Sequence, residues 1–486
     1  MTVNSKGIKE IKLGVSTLFV FSRYITLFVV AVRGLFLASY LGPAIFAIYS
    51  LVILLQQQLS LTALGMREAI TINLSGQSLE DNNYHETIST SINFTLLVAF
   101  ILFLISVPSF ILRDYLTDFH PALEMLWVAL IISGVTISNE VMTNIARLNG
   151  YIKKIAIAEL SFALGTSLVA LVVILSGYEL IYLFLGILII SLLIFLFLFK
   201  TIFIRKISFF DKNKLKQLLG LGLPLMAVNV LTILTMTFGF WLVGAKEPLY
   251  DAGQYAFAAA LASVTSYAMN AYAWVYFAEI IGEFSSLDSV HEISSRIDMI
   301  RKYIILGFLL SSAGASLLYI LIVNPMFPEY TDSSYIFLSL FIAQFFQVFA
   351  FPESSLLMAK KQIFSVLQVT SLSFIFIISA SLFFYTSDFE LFNSLKSNVF
   401  IVSLIVLMGN FVYLIAFLFK SRIYKTSSSL LKDFKTLFLV LIFISVFYFM
   451  EFQNLNILFC FLCLSCILFF FKTEVVELVG NLKKSK

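Results

Sequence analysis

The stretch from Phe21 to Ser50, FSRYITLFVVAVRGLFLASYLGPAIFAIYS, is apolar enough to lie in lipid, yet it carries Arg23 and Arg33. A central arginine costs about 2.5–3.5 kcal/mol on insertion scales, so such a residue faces a cavity or a partner rather than lipid. A guanidinium is a planar fork of donors that stays charged, which suits a pyrophosphate group. Arg23 therefore reads in one of two ways. It either contacts an anionic group in a cavity, or it is structural, paired with an acid such as Glu140 or capping the carbonyls of another helix. Arg33 lies nearer the outer end of the same run, where it either snorkels to the headgroups or shares the cavity role. Arg67 ends the second apolar run and either receives an anionic cargo or follows the positive-inside bias.

A second chemistry is suggested by polar and aromatic stripes. Ser263, Tyr267, Asn270 and Trp274 recur at spacings of four, three and four, which puts them on one helical face. Such a stripe suits sugars, whose C–H faces pack on rings and whose hydroxyls need partners. Tyr49, Gln56 and Ser60 form the corresponding stripe in the second apolar run. The competing explanation is helix–helix packing with polar residues as glue. Glu140, Glu159, Glu279 and Glu353 lie in or near the ends of apolar runs. Of these Glu140 is the chosen ion-coupling residue, binding H⁺ or Na⁺, unless it belongs with Arg147 to a structural network. His85, His120 and His291 are spread over loops on both faces and suggest neither a metal site nor a catalytic triad. Cys460, Cys463 and Cys466, in CFLCLSC, mimic a cluster-ligand spacing but lack a fourth cysteine or a nearby histidine. No cofactor and no metal is implied.

The elements that must position these residues are membrane helices. The 486 residues are 60% hydrophobic and 12% charged, with a mean hydropathy of +0.98. Apolar runs of about 20 residues follow one another along almost the whole chain. Fourteen spans are expected, near 13–39, 44–66, 88–112, 121–146, 155–177, 179–204, 217–244, 253–281, 302–323, 333–357, 363–385, 396–419, 434–450 and 454–471. With the N-terminus inside, Arg113, Lys246 and Lys396 fall outside, and Arg23 and Arg33 lie in the first span. The rest of the 32 basic residues fall in cytoplasmic segments, which supports a multi-pass protein with both termini in the cytoplasm. The net charge of +4 sits in loops and is no nucleic-acid footprint. The loops are too short to hold a separate domain, which counts against a membrane polymerase or ligase with an external catalytic loop.

A weak internal repeat organises the spans. YLGPAIFAIYSLVILLQQQLS follows the first span and VGAKEPLYDAGQYAFAAALASVTS follows the seventh. Each has a glycine at the end of a span, a short break, then a tyrosine leading an apolar helix with polar residues two turns in. The expected organisation is an N-lobe over 1–204 (spans one to six) and a cytoplasmic linker over 205–216. A C-lobe follows over 217–420 (spans seven to twelve), then two more spans and a basic tail over 421–486.

These residues also carry a family resemblance. ASYLGPAIFAIYSL resembles the junction of spans one and two in Wzx-type polysaccharide flippases. LLGLGLPLMAVNVLTIL and DAGQYAFAAALAS resemble the openings of that family's seventh and eighth helices. FPEYTDSSYIFLSLFIAQFF and LLMAKKQ are similar to the stretch around its ninth to eleventh. The superfamily also holds the multidrug (MATE) exporters and the lipid II flippase. The resemblance implies an all-α integral membrane protein, MATE-like, with two six-helix lobes around a central cavity plus two C-terminal helices. It also implies a cargo, the undecaprenyl-pyrophosphate-linked oligosaccharide repeat unit of a surface polysaccharide such as O-antigen or capsule. That cargo would cross the bacterial inner membrane by alternating access, with H⁺ or Na⁺ as coupling ion. A polysaccharide polymerase and a chain-length regulator are the implied protein partners. Two departures stand out. The family's acidic–basic pair near the end of helix seven is replaced by FGFWLVG, with Gly239 and Phe240, and the acidic position after Pro43 is Ala44. A drug or cation antiporter of the same fold is the alternative. It would favour acids in the lobe helices, whereas span one carries two arginines and no acid.

Overall fold

A backbone running through lipid has no partner but itself, so long runs of Leu, Ile, Phe and Val fold as helices. In the computed structural model the described residues form α-helices joined by short turns, with no strand among them. The structure describes residues 5–74, 82–202, 211–287, 289–386 and 397–424. Side chains are described for these apart from 5–21, 23, 24, 72, 82, 83, 202, 265–279, 313, 315–317, 319 and 320. Nine helices among the described residues are long and apolar enough to cross a membrane.

The helices are α1 (Ser5–Ser60), α2 (Met66–Leu74), α3 (Asn82–Ile111), α4 (Arg113–Phe119), α5 (Leu126–Leu148), α6 (Ile152–Leu175) and α7 (Leu180–Ile202). They continue with α8 (Lys212–Lys246), α9 (Leu249–Ser286), α10 (Val290–Leu318), α11 (Asn324–Met326), α12 (Ser333–Phe349), α13 (Phe351–Ala359), α14 (Ile363–Thr386) and α15 (Asn398–Ser421). The expected spans from 13–39 to 396–419 fall mainly on helix over their described residues. Those expected at 434–450 and 454–471, and the three cysteines, lie outside the described residues.

Local chemistry explains the breaks. Spans one and two are one helical rod, α1, kinked at Gly42 (φ 68°, ψ 168°), with Pro43 opening the second part. Only glycine adopts that backbone easily, and proline tolerates the first turn because it has no N–H to lose. The second span ends earlier than expected. α1 stops at Ser60, a 3₁₀ turn covers Leu61–Ala63, and Leu64 and Gly65 both take left-handed φ, 52° and 70°. The span expected at 333–357 divides into α12 and α13, with Pro352 in the first turn of the second piece. The loop after α3 holds α4 and a 3₁₀ turn in which His120 Nδ1 accepts the Ala122 N–H at 3.1 Å. Asp211 caps α8 by accepting the N–H groups of Asn213 and Lys214.

Two compact units result, Met1–Val230 and Leu231–Lys486, with the division falling inside α8. Within unit 1, α1 packs on α5, α5 on α7 and α6 on α7. Within unit 2, α9 packs on α12, α12 on α15 and α14 on α15. In helix order this is second on fourth, fourth on sixth and fifth on sixth in each unit. The fourth helix is the enclosed one: α5 is more buried than α3 or α6, and α12 more than α14. The core of unit 2 is aromatic. Phe341, Phe345 and Phe346 of α12 are buried, and Phe308 of α10 lies 4.1 Å from the Phe345 ring centroid. The core of unit 1 joins Met66 and Ile70 of α2, Ile88 and Ile92 of α3, Val141 and Ile145 of α5, and Leu218 from the first half of α8. On α3 the buried hydroxyls of Ser91 and Thr95 bond back to the carbonyls of Thr87 and Ser91, each at 2.7 Å.

Candidate functional site

The densest group of charged side chains in unit 1 gathers where the backbone turns at Leu64–Gly65. That turn fits because a glycine faces it: a Cβ on Gly65 would lie 2.2 Å from the Gly222 carbonyl oxygen, and one on Gly222 would lie 2.7 Å from the Gly65 oxygen. The two backbones touch, and α2 starts directly after the contact. Arg67 is then fixed at the head of α2 beside α5.

Arg67 Nε and Nη2 donate to Glu68 Oε1 at 3.1 and 2.8 Å, and Arg67 Nη1 lies 3.8 Å from Glu140 Oε2 on α5. The Arg67 and Glu140 side chains are 51% and 41% exposed, so the pair is open enough for a ligand to compete. Asn229 of α8 donates to the same Glu68 oxygen at 3.2 Å. Asn144, buried on α5, donates to the Arg67 carbonyl at 2.7 Å and to Thr71 Oγ1 at 2.9 Å. Arg147 Nη2 donates to Asn144 Oδ1 at 2.7 Å. The result is two arginines and two carboxylates, held by three amide or hydroxyl side chains. Burial alone would lower the Arg67 guanidinium, but Glu68 and Glu140 more than offset it and hold the group above its ordinary value. An arrangement of this kind can exchange one anion for another on a guanidinium fork.

The other expected residues are placed as follows. Arg33 turns from α1 onto α6, where Nη1 donates to Thr166 Oγ1 at 2.5 Å, while its Nε is buried without a hydrogen-bond partner. Tyr49 is buried, stacked on Phe184 of α7 with ring centroids 5.8 Å apart. Gln56 Nε2 donates to Thr136 Oγ1 of α5 at 3.2 Å, and Ser133 Oγ donates to the Gln56 carbonyl. Ser60 returns its hydroxyl to the Gln57 carbonyl. In unit 2, Ser263 of α9 accepts from Gln344 Nε2 of α12 at 3.2 Å. The side chains of Arg23, Tyr267, Asn270, Trp274 and Glu279 lie outside the described residues. Gln56 and Ser263 thus make the same tie, second helix to fourth, each in its own unit.

Beyond Glu353, already noted as an acid near a span end, several polar residues were not singled out by sequence. Gln347, one turn beyond Gln344, donates to Thr235 Oγ1 of α8 at 2.9 Å. Arg301 of α10 donates to Glu353 of α13, with side chains 5% and 0% exposed, and its guanidinium lies 4.8 Å from the Phe349 ring. Glu68 had a signal, the adjacent opposite charges in LGMREAI after a glycine. Asn144 and Asn229 had none. Gly239, where the family's ion pair would begin, meets the Tyr255 hydroxyl closely enough that a Cβ would sit 2.4 Å from it.

Neither protein-family models nor curated proteins match the sequence. Solved structures do. A lipid II flippase MurJ in an inward closed conformation matches with a TM-score of 0.63 at 16% identity, covering 94% of this chain and 100% of that one. The chain shares its all-helical fold with that protein. An outward-facing multidrug resistance MATE transporter of the MOP superfamily matches with a TM-score of 0.50 at 14% identity, over 87% of this chain and 96% of that one. A MOP superfamily transporter from Pyrococcus furiosus, described as having a binding pocket of reverse polarity, matches with a TM-score of 0.52 at 14% identity, over 86% of this chain.

Proposed function

We propose that the protein translocates undecaprenyl-pyrophosphate-linked oligosaccharide repeat units across the bacterial cytoplasmic membrane, by alternating access, for surface polysaccharide synthesis. What carries this function is the joining of fold and charge. The fold is shared along nearly the whole chain with a protein described as a lipid II flippase, and on it span one holds two arginines. Arg23, Arg33 and Arg67 hold the pyrophosphate, because guanidinium forks pair with phosphate oxygens and keep their charge at every physiological pH. Tyr49, Gln56, Ser60, Ser263, Tyr267, Asn270 and Trp274 offer hydroxyl, amide and ring contacts to sugars. Glu140 takes the coupling ion. No bond is made or broken in the cargo.

The test is made on a strain lacking the gene. Its lipids are extracted and undecaprenyl-linked oligosaccharide is measured together with surface polysaccharide. Accumulation of the lipid and loss of the polysaccharide, reversed by wild type and not by Arg23→Gln, is the expected result. Absence of accumulation, with altered sensitivity to cationic drugs, would replace this function with drug export.

A further inference from the structure

Glu68 and Glu140 sit on Arg67 as a substrate anion would. Glu68 fills one side of the fork with two hydrogen bonds, whereas Glu140, at 3.8 Å, is in ion-pair range but beyond a good hydrogen bond. The Nη1 side is therefore the weakly held one. Arg147 stands two turns along α5 from Glu140, on the Asn144 that also fixes the Arg67 carbonyl. Helices α1, α3, α6 and α7 also pack on α5. The charged groups acting on Glu140 are Arg67 and then Glu68, both from α2.

We infer that Glu140 is a proton-linked placeholder: the cargo's diphosphate displaces it from Arg67, and Glu140 takes up a proton as it loses its counter-charge. The inference rests on the flippase function above. A carboxylate that loses a neighbouring cation and gains a neighbouring anion is driven toward its neutral form. Linkage makes the effect reciprocal, so a proton on Glu140 strengthens anion capture by as much as the anion strengthens protonation. Arg67 and Glu140 both belong to unit 1, so the exchange is local to that unit.

The experiment is calorimetric titration of the detergent-purified full-length protein with inorganic pyrophosphate, repeated in buffers of different ionisation enthalpy to count protons. Wild type is expected to take up more protons on binding than Glu140→Gln. Because an exposed pair contributes little, Glu140→Gln is expected to bind only about twofold to fivefold more tightly near neutral pH. Arg67→Gln should weaken binding about tenfold or more, the scale of a lost charged hydrogen bond. Glu68→Gln should keep the wild-type proton uptake. Equal uptake in wild type and Glu140→Gln overturns the inference, as does loss of uptake in Glu68→Gln or no pyrophosphate binding by wild type. Competition separates cargo from bilayer: displacement of pyrophosphate by phosphatidylglycerol at equal concentration would assign the fork to lipid headgroups and overturn it, whereas resistance supports it. The lipid-accumulation assay decides the flippase function separately, since it makes no use of Glu140.

Discussion

Replacing Glu353 by leucine removes the acid opposite Arg301 and leaves its guanidinium in a site where the two side chains are 0% and 5% exposed. Removing one partner of a buried pair costs about 3–5 kcal/mol, because an uncompensated charge stays in a low-dielectric site. Two features set the value within that range. The Phe349 ring lies 4.8 Å from the guanidinium and retains its cation–π attraction. Asp298, on the same helix, also acts on Arg301 and partly replaces the missing acid. The cost is therefore expected near 3 kcal/mol. At about 2–4 °C per kcal/mol this is a fall of roughly 6–12 °C in unfolding temperature. The double replacement Arg301→Met with Glu353→Leu removes both charges for apolar groups of similar volume and should recover most or all of the loss. Thermal unfolding of the detergent-purified protein, followed by fluorescence at one fixed scan rate, measures both variants against wild type. Glu353→Leu unfolding within about 2 °C of wild type, or a double variant no better than that single one, would refute the assignment of a buried pair whose halves depend on each other.

Gly65→Ala places a methyl 2.2 Å from the Gly222 oxygen at a left-handed φ, so it should cost about 2–5 kcal/mol and lower both unfolding temperature and transport. Gln56→Leu and Gln344→Leu break the two matching ties between second and fourth helices. If those residues serve the cargo, transport should fall more than the roughly 1 kcal/mol expected from one hydrogen bond, read as transport against unfolding temperature in the same preparations. The Asp251 carboxyl at the head of α9 is held above the ordinary carboxylate range, first by burial and then by Glu247. A raised carboxyl stabilises the folded chain at low pH, and that contribution is lost as pH rises through the folded value. Asp251→Asn should therefore flatten the decline in unfolding temperature above about pH 4.

Sequence reasoning reached what depends on local pattern. The glycine and proline at 42 and 43 announced a break, and the kink lies there. Apolar runs located the helices because in lipid the backbone has no alternative to them. The stripe positions Gln56 and Ser263 turned out to make equivalent ties, since a shared helical face is a matter of spacing. What could not be read was tertiary. Glu353 was visible as an acid at a span end and Arg301 as a cytoplasmic charge, but their pairing needs α10 laid beside α13. Arg67 and Glu140 are far apart in sequence, and only the turn at Leu64–Gly65 brings α2 against α5. The left-handed Leu64 had no signal of its own, because a β-region or helical backbone is the default for leucine.

The hydroxyls of Ser91 and Thr95 bear on what ties the helices of unit 1 together. Each is satisfied by a carbonyl of α3 itself, one turn back, so at these two positions the bond travels with the helix. Neither hydroxyl therefore needs a partner on a neighbouring helix. The Asn144 and Arg147 end of α5 is the opposite case, because polar bonds cross there from α5 to Arg67 and Thr71 of α2. Unit 1 therefore combines a stretch whose polar bonds stay within one helix with one where they tie two helices together, so only the second loses them when helices separate.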